Sequence, residues 1–593
     1  MLDPRIYRTG FVAVALAVVV LAFSLTDQRG AMQPTLAPDA FNPQNAYATM
    51  LSLAQTYPDR RPGSNGDNAL GRDIADRLQR IQGWQVSIPV TKARTVDGSQ
   101  ELETVTAVKT GQSAGSIVIV AHRDALGQPA TSQLSGTATL LELARVLSGE
   151  TLQRTVVLAS TSGSDGAAGA TALARSLTGP VDAVIVLGDL TGPAAHKPLI
   201  VPWSNGENVA PTVLRNTVAS ALNSQAAMKP GGTPLAAQFA RLAFPWTLTE
   251  QGPFGSLGDP AVTLSTSGEH APPPDEPTSP GQIEGFGRTA LQSINALDSG
   301  GEVDAAQPYL LYSGKVIPVW AIRLFVLALM LPVFGATIDG LARAHRRGQS
   351  LTRWIAWVLS SSVPFALAVG LAVIAQPIGL ISQAPPGPVA AGVVPLHGGG
   401  VVTLALLAVA IAVSFYAFRP LIIRRAHIRP ADLELTDPAP RGAAAAAVLL
   451  VMCVVAFVTW LTNPFAAALM VPALHLWMWI VDPEVRLKGI VTVALLVAGL
   501  AAPVLVILYY AHTLGLGPLE VAWNLLLMLA GGHVKVLVAL EWSVMLGCVA
   551  SVLVIAVRGQ REPRAEEKPI TVRGPITYAG PGSLGGTESA LRR

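Results

Sequence analysis

Two kinds of hydrophobic pattern follow each other along this chain, and the border between them falls near Val316. Before it, apolar residues come in short runs separated by helical repeats. Ile117 to Ala121, in GSIVIVAHRD, is continuously apolar and reads as a strand buried on both faces. SGTATLLELARVL follows, with Leu140, Leu141, Ala144 and Leu147 at helical spacing. RTVVLAS is a second strand, TSGSDGAAGATALARSL a small-residue loop running into a helix, and DAVIVLGDL a third strand that ends at Asp189. Strand, helix, strand, helix, strand predicts βαβ units around a parallel sheet, whose strand ends deliver functional groups. Around this core, NALGRDIADRLQRIQGW predicts an amphipathic helix through Leu70, Ile74, Leu78 and Ile81. WQVSIPV and ETVTAVKTG read as strands, a hairpin pair feeding the sheet. Beyond Asp189, APTVLRNTVASALNS, PLAAQFARLAF and GQIEGFGRTALQSINAL read as helices, DPAVTLST as a strand and SGEHAPPPDEPTSPG as a Pro-rich loop.

After Val316 the apolar runs lengthen, near 317–338, 354–376, 401–418, 443–461, 466–481 and 490–511, with a longer block at 519–557. Arg343, Arg346, Arg347 and Arg353 sit in one linker, and Arg419, Arg424, Arg425 and Arg429 in another; ISQAPPGPVAAGVVPLHGGG between them carries no charge. That alternation is a positive-inside signal and puts the part before Val316 outside the cytoplasm. The basic tail RGQREPRAEEK belongs inside, so 519–557 crosses once; VAWNLLLMLAGGH is too short to span and reads as re-entrant or interfacial, with 535–557 as the span. Upstream, Phe11 to Leu25 is apolar behind Arg5 and Arg8, and no small-residue cleavage motif precedes Asp27, which favours a retained anchor over a cleaved signal.

Composition agrees. Half of the 593 residues are hydrophobic and 13% are charged, against about 25% in soluble domains. A net charge of +3 gives no case for nucleic acid. Cys453 and Cys548, the two cysteines, both lie in apolar runs, so the external part has no disulfide and no cysteine-ligated zinc. The expected division is an N-terminal anchor at 1–26, a linker at 27–44, an extracytoplasmic α/β domain at 45–305, a seven-span helical membrane domain at 316–557 and a disordered cytoplasmic tail at 558–593.

AHRD, SGTATLLELARVL and VIVLGDLTG, in that order and spacing, together with the earlier RRPGSNG, resemble motifs of the di-zinc exopeptidase family of aminopeptidase Y and plasma glutamate carboxypeptidase type. The resemblance covers roughly residues 45–300. It implies an α/β fold with a mixed sheet flanked by helices, and a site of two zinc ions bridged by a carboxylate, with a second carboxylate as general base. Carried over position by position, His122 and Asp189 fall on ligands of the first metal, Asp124 on the residue that orients the histidine, and His270 on the late histidine ligand. Asp165 falls where the family has a glutamate ligand, Ser164 on the general base and Ser132 on the bridging carboxylate. A serine hydroxyl is a poor bridge between two dications, and Ser164 cannot take a proton from water near neutral pH. The resemblance therefore implies at most one zinc ion, held by His122, Asp165, Asp189 and His270, or none. Plainer readings stand beside these: His122 and Asp124 as a hydrogen-bonded pair at a strand end, Asp189 as a turn cap, and His270 as a solvated loop residue. Gly163, Gly166 and Gly169 are no phosphate loop, because no Lys-Ser/Thr follows.

In the membrane part, Arg323, Asp339 and Lys535 lie near span ends, where snorkelling accounts for them, whereas His475 and Glu541 lie deeper. The layout is similar to that of the polytopic non-catalytic subunit of the glycosylphosphatidylinositol transamidase. The expected function is thus a multi-pass membrane protein, of the plasma membrane in a bacterium, whose external peptidase-like domain binds or presents a peptide or lipid-linked substrate without hydrolysing it. Its expected partners are membrane lipid and other membrane proteins. The alternative is an active membrane-bound zinc metallo-exopeptidase of aminopeptidase type with a rearranged metal site.

Overall fold

The structure, a computed structural model, describes residues 4–193, 195–381, 384–425, 435 and 438–559. The tail expected at 558–593 therefore lies outside the described residues from 560 onward.

The first half is an α/β unit built on a seven-stranded mixed sheet. In spatial order its strands are Gln85–Ser87, Val105–Lys109, Thr155–Thr161, Ser116–His122, Val181–Leu187, Ala261–Leu264 and Ile200–Val201. The middle four run parallel to one another; Val105–Lys109 and Ile200–Val201 pair with them antiparallel, and Gln85–Ser87 pairs antiparallel with Val105–Lys109. The strand at 116–122 is central because its apolar run is buried on both faces. Ile117, Ile119 and Ala121 face a core formed with the helices Pro43–Thr56, Asn65–Gln79, Ser135–Leu147 and Pro280–Ser299. Val118 and Val120 face the opposite core of Ala170, Leu173 and Phe254. The chain passes from this strand to 155–161 on one side and from there crosses back to 181–187 on the other. That is a topological switch point, and the crevice beyond the strand ends is where such sheets bind ligands.

The two strands read as a hairpin pair do pair, Gln85–Ser87 with Val105–Lys109, but a second hairpin, Val90–Thr95 and Gly98–Glu103, stands between them as a separate two-stranded sheet. The stretch read as a linker, 27–44, is strapped to the unit. Arg29 N donates to Thr212 Oγ1 and Met32 N to Thr217 Oγ1, both on the helix Thr212–Ala226. A three-stranded sheet of Thr26–Asp27, Lys315–Pro318 and Tyr309–Tyr312 then ties the end of the first helix to the start of the membrane bundle.

Among the described residues, eight helices are long and apolar enough to cross a membrane: Pro4–Phe23, Val319–Arg346, Leu351–Ala375, Gly398–Arg425, Pro440–Thr462, Pro464–Val481, Gly489–Thr513 and Val536–Arg558. Pro518–Gly531 is apolar but shorter. The first helix lies against Val319–Arg346, where Gly10 meets Pro332 so closely that a Cβ on Gly10 would sit 2.3 Å from the ring. Three of the ionisable groups noted in the bundle have local partners. His475 Nε2 lies 2.8 Å from Leu329 O, Glu541 accepts from Thr459 Oγ1, and Asp339 pairs with Arg343 one turn on.

The α/β unit is seated on one end of the bundle. Asn463 Nδ2 donates to Leu242 O, Arg94 Nη2 to Gly531 O, and Tyr510 OH to Phe244 O. Trp203, Val209, Leu242 and Tyr309 of the α/β unit belong to the same continuous core as the bundle helices.

Candidate functional site

The crevice beyond the parallel strands is lined by His122, Gln133, Ser164, Asp165, Asp189, Glu250, Glu269 and His270 among others, and holds about 80 Å³. Its frame is set by charges that never reach solvent. Arg123, next to the strand end, is fully buried and pairs with Asp67 at 2.9 Å while donating to Ser160 O and Glu103 O. Arg60, of RRPGSNG, is equally buried and donates to the carbonyls of Arg123, Tyr57, Pro129 and Ala130. Both guanidiniums use their planar fork to fix backbone, so this motif positions the loops on which the site stands.

His122 closes its strand, and its Nδ1 lies 3.5 Å from Glu250 Oε2. Burial by itself lowers the pKa of this imidazole, but the hydrogen bond and charge of Glu250, with the charges of Asp124 and Asp165, hold it above the ordinary value. Asp124, expected to orient His122, uses its carboxylate on the neighbouring loop. Its oxygens accept from Ser164 N and Ser164 Oγ, at 3.1 and 3.0 Å to Oδ2. The loop that carries Ser164 turns sharply, with Gly163, Gly166 and Ala167 all at positive φ, which presents Asp165 to the crevice. Burial raises Asp124 to about 7 and Asp165 to about 6, with His122 pulling both downward.

Asp189 sits 3% exposed in a cage of hydroxyls. Oδ1 accepts from Thr191 N, Thr191 Oγ1 and Ser135 Oγ; Oδ2 accepts from Thr266 Oγ1 and Ser267 Oγ. Glu276 completes the cage. Burial and the neighbouring charge of Asp189 raise Glu276 to about 7. Ser132 is wholly buried and its Oγ has no hydrogen-bond partner. His270 is exposed on the loop that follows Ala261–Leu264.

The structure thus brings His122, Asp165, Asp189 and His270 to one crevice but leaves them with different surroundings. Among the described residues no group of three or more His, Cys, Asp or Glu is arranged to hold a metal ion. The donor chemistry explains why the set does not fit a zinc pair. Asp189 accepts hydrogen bonds on both oxygens, and Ser132, which the resemblance sets at the bridging position, offers only a neutral hydroxyl. Glu250, Glu269 and Glu276 were not singled out from the sequence. Glu269 and Glu276 lie in the stretch read as a Pro-rich loop, and Glu250 outside every element read from the sequence; the adjacency of Glu269 to His270 is the one available hint.

Two membrane-side features close the crevice. The uncharged linker between the second and third bundle spans folds over it: Gly387 N donates to Gly166 O at 3.0 Å, and Ala390 lines the crevice wall. On the other side Glu269 is buried against Arg241, which donates to both its carboxylate oxygens, to Trp246 O and to Tyr509 OH. Arg241 Cζ also lies 5.9 Å from the Trp203 ring centroid and 5.8 Å from that of Tyr509.

With this geometry in hand, the comparison with known proteins can be read. Residues 104–240 match the model of Peptidase family M28, in line with the resemblance carried by AHRD and the motifs after it. No curated protein matches. Among solved structures, similar ones include glutaminyl cyclase of Porphyromonas gingivalis, with 18% identity, TM-score 0.33, 43% of this chain and 98% of that chain covered. A leucine aminopeptidase precursor of Bacteroides thetaiotaomicron gives 15% identity, TM-score 0.36 and coverages of 43% and 97%. The LapA aminopeptidase of Legionella pneumophila gives 14% identity, TM-score 0.37 and coverages of 46% and 78%.

Proposed function

We propose that this is a multi-pass membrane protein whose M28-type domain lies outside the cytoplasm and binds or presents a peptide or lipid-linked substrate without hydrolysing it. The observation that carries the reading is the state of the two positions on which di-zinc chemistry depends. At the positions the resemblance assigns, Ser132 supplies a buried neutral hydroxyl in place of the bridging carboxylate, and Ser164 spends its hydroxyl and its N–H on Asp124 in place of acting as general base. Loss of a positioned base alone removes about 10²–10⁴ in rate. The orientation is supported by charge. The linkers seated against the α/β unit are those of residues 376–397, 463 and 514–535, whereas Arg343, Arg346, Arg347, Arg424 and Arg425 cluster at helix ends away from it.

A zinc aminopeptidase with a rearranged site is the second reading. Glu250 favours it, because its buried carboxylate faces His122, with Oε2 3.5 Å from Nδ1. The test uses the full-length protein in detergent with excess zinc. The expected result is at most about one zinc ion per chain and no hydrolysis of aminoacyl or dipeptide substrates, with metal occupancy rising when Ser132→Asp and Ser164→Glu are combined. Hydrolysis by the unmodified protein, abolished by chelator and by His122→Ala, overturns the binding reading in favour of the second.

A further inference from the structure

A cavity of about 940 Å³ separates the α/β unit from the helices Pro464–Val481 and Gly489–Thr513. It lies near the upper end of the range of about 300–1,000 Å³ for small-molecule sites. Three observations together say what it takes. First, one wall consists of membrane-spanning residues, Leu469, Ala502, Leu505 and Val506 among them. From Ala502 to the helix end at Thr513 the cavity follows the span for about 16 Å at the α-helical rise. Its lower part therefore lies at hydrocarbon depth, and Leu505, 63% exposed, stands at its lipid-facing edge. Secondly, the opposite end is polar: His196, Lys197, Thr233 and His270 line it. Lys197 is exposed and forms none of the ion pairs found among the described residues. Thirdly, Gly268, Glu269 and His270 line both this cavity and the crevice of His122 and Asp165. The crevice is covered on another side by the 384–390 linker, so this shared loop is the wall between the site and the membrane.

We propose that the cavity binds a membrane lipid with an anionic headgroup, its acyl chain between the α/β unit and helix Gly489–Thr513 and its headgroup at Lys197 beside the His270 loop. The proposal rests on the binding reading above and names its substrate class. A peptide in water would have no reason to enter a space that opens at hydrocarbon depth. An acyl chain moves there from surroundings as apolar as the cavity walls, so the chain sets where the ligand sits. Selectivity then comes from the headgroup, where one unneutralised cation favours an anion.

The experiment uses the full-length protein in vesicles of phosphatidylcholine and phosphatidylglycerol doped with a phosphatidylglycerol that carries a photoactivatable diazirine on its acyl chain. Crosslinked peptides are mapped by mass spectrometry. The expected result is labelling concentrated on 464–481, 489–513 and 235–243. Leu505→Trp and, separately, Ala502→Phe should lower it by about tenfold while leaving labelling of Gly398–Arg425 unchanged, which serves as the folding control. Lys197→Glu should lower labelling by the phosphatidylglycerol probe and not by a phosphatidylcholine probe of the same chain. Labelling spread evenly over the lipid-facing helices, or indifferent to all three substitutions, overturns the proposal. So does displacement of the probe by an apolar peptide or by a second copy of the chain at rising protein density. None of these readouts depends on hydrolysis: a lipid-labelled protein that also cleaves peptides refutes the non-catalytic reading and leaves the lipid site standing.

Discussion

Substituting Glu269 by Gln or Arg241 by Met tests whether the α/β unit and the bundle stand as one body. Both side chains are 4% exposed, so solvent screens their attraction little. Burial alone would depress the Arg241 guanidinium, and the negative charge of Glu269, with lesser contributions from Tyr510 and Tyr509, raises it above the ordinary value. Glu269→Gln strands a cation among Trp203, Tyr509 and Tyr510, and Arg241→Met strands an anion whose remaining side-chain donor is Thr247 Oγ1 at 2.7 Å. Breaking one side of a buried pair costs about 3–5 kcal/mol. At roughly 2 °C per kcal/mol for a large chain, each single substitution should lower the melting midpoint by about 6–10 °C. The double variant Arg241→Met with Glu269→Met leaves no buried charge and should recover most of that loss. Cys453 and Cys548 supply the assay, since both are buried inside the bundle and a thiol-reactive fluorogenic dye reports only on its opening. Singles that melt within about 1 °C of the parent refute the reasoning, as does a double variant as weak as the sum of its parts.

Three further outcomes are expected. Glu207 is raised to about 7 by burial, against the opposing pull of Arg323 and Lys535. The folded chain therefore binds this proton more tightly than the unfolded chain does, its contribution to stability falls as pH rises from about 4.5 to about 7, and Glu207→Gln should lessen the fall of the melting midpoint across that window, the rest belonging to Asp124, Asp165 and Glu276; an unchanged pH profile would count against the assignment. Gly166 has φ +81° and its Cβ would lie 2.4 Å from Pro385, so Gly166→Ala should cost about 1–2 kcal/mol in backbone strain alone and push the 384–390 linker off the crevice, read as faster thiol labelling of Ala390→Cys; unchanged labelling would show that the linker does not rest there. Cysteines introduced at Ala391 or His397 should react with an impermeant reagent in intact cells, whereas Arg347→Cys and Arg425→Cys should react only after permeabilisation, and the reverse pattern would invert the topology.

What the sequence determined by itself is whatever short-range periodicity encodes. The β-branched run of 117–121 can be nothing but a doubly buried strand, and the runs after Val316 are too long and too apolar for water, so the sheet core and the bundle spans were legible from neighbouring residues alone. The motifs at His122, Asp165 and Asp189 were legible for the same reason: each sits at the end of such an element, where the fold delivers it to the crevice. The tertiary structure decided everything that depends on loops meeting across long sequence distances. Glu250 reaches His122 from more than a hundred residues away, Glu276 reaches Asp189 from a Pro-rich loop, and the uncharged linker near 387 closes over Gly166. No local pattern marks these contacts, because loop residues answer to the surfaces they land on rather than to a repeat of their own. The same holds for residues 27–44, which read as a tether and are in fact strapped along Thr212–Ala226 through backbone N–H groups whose partners composition cannot reveal. The cavity under the His270 loop is the extreme case: its two walls are legible separately as a soluble helix and a membrane span, and only their docking creates the space between them.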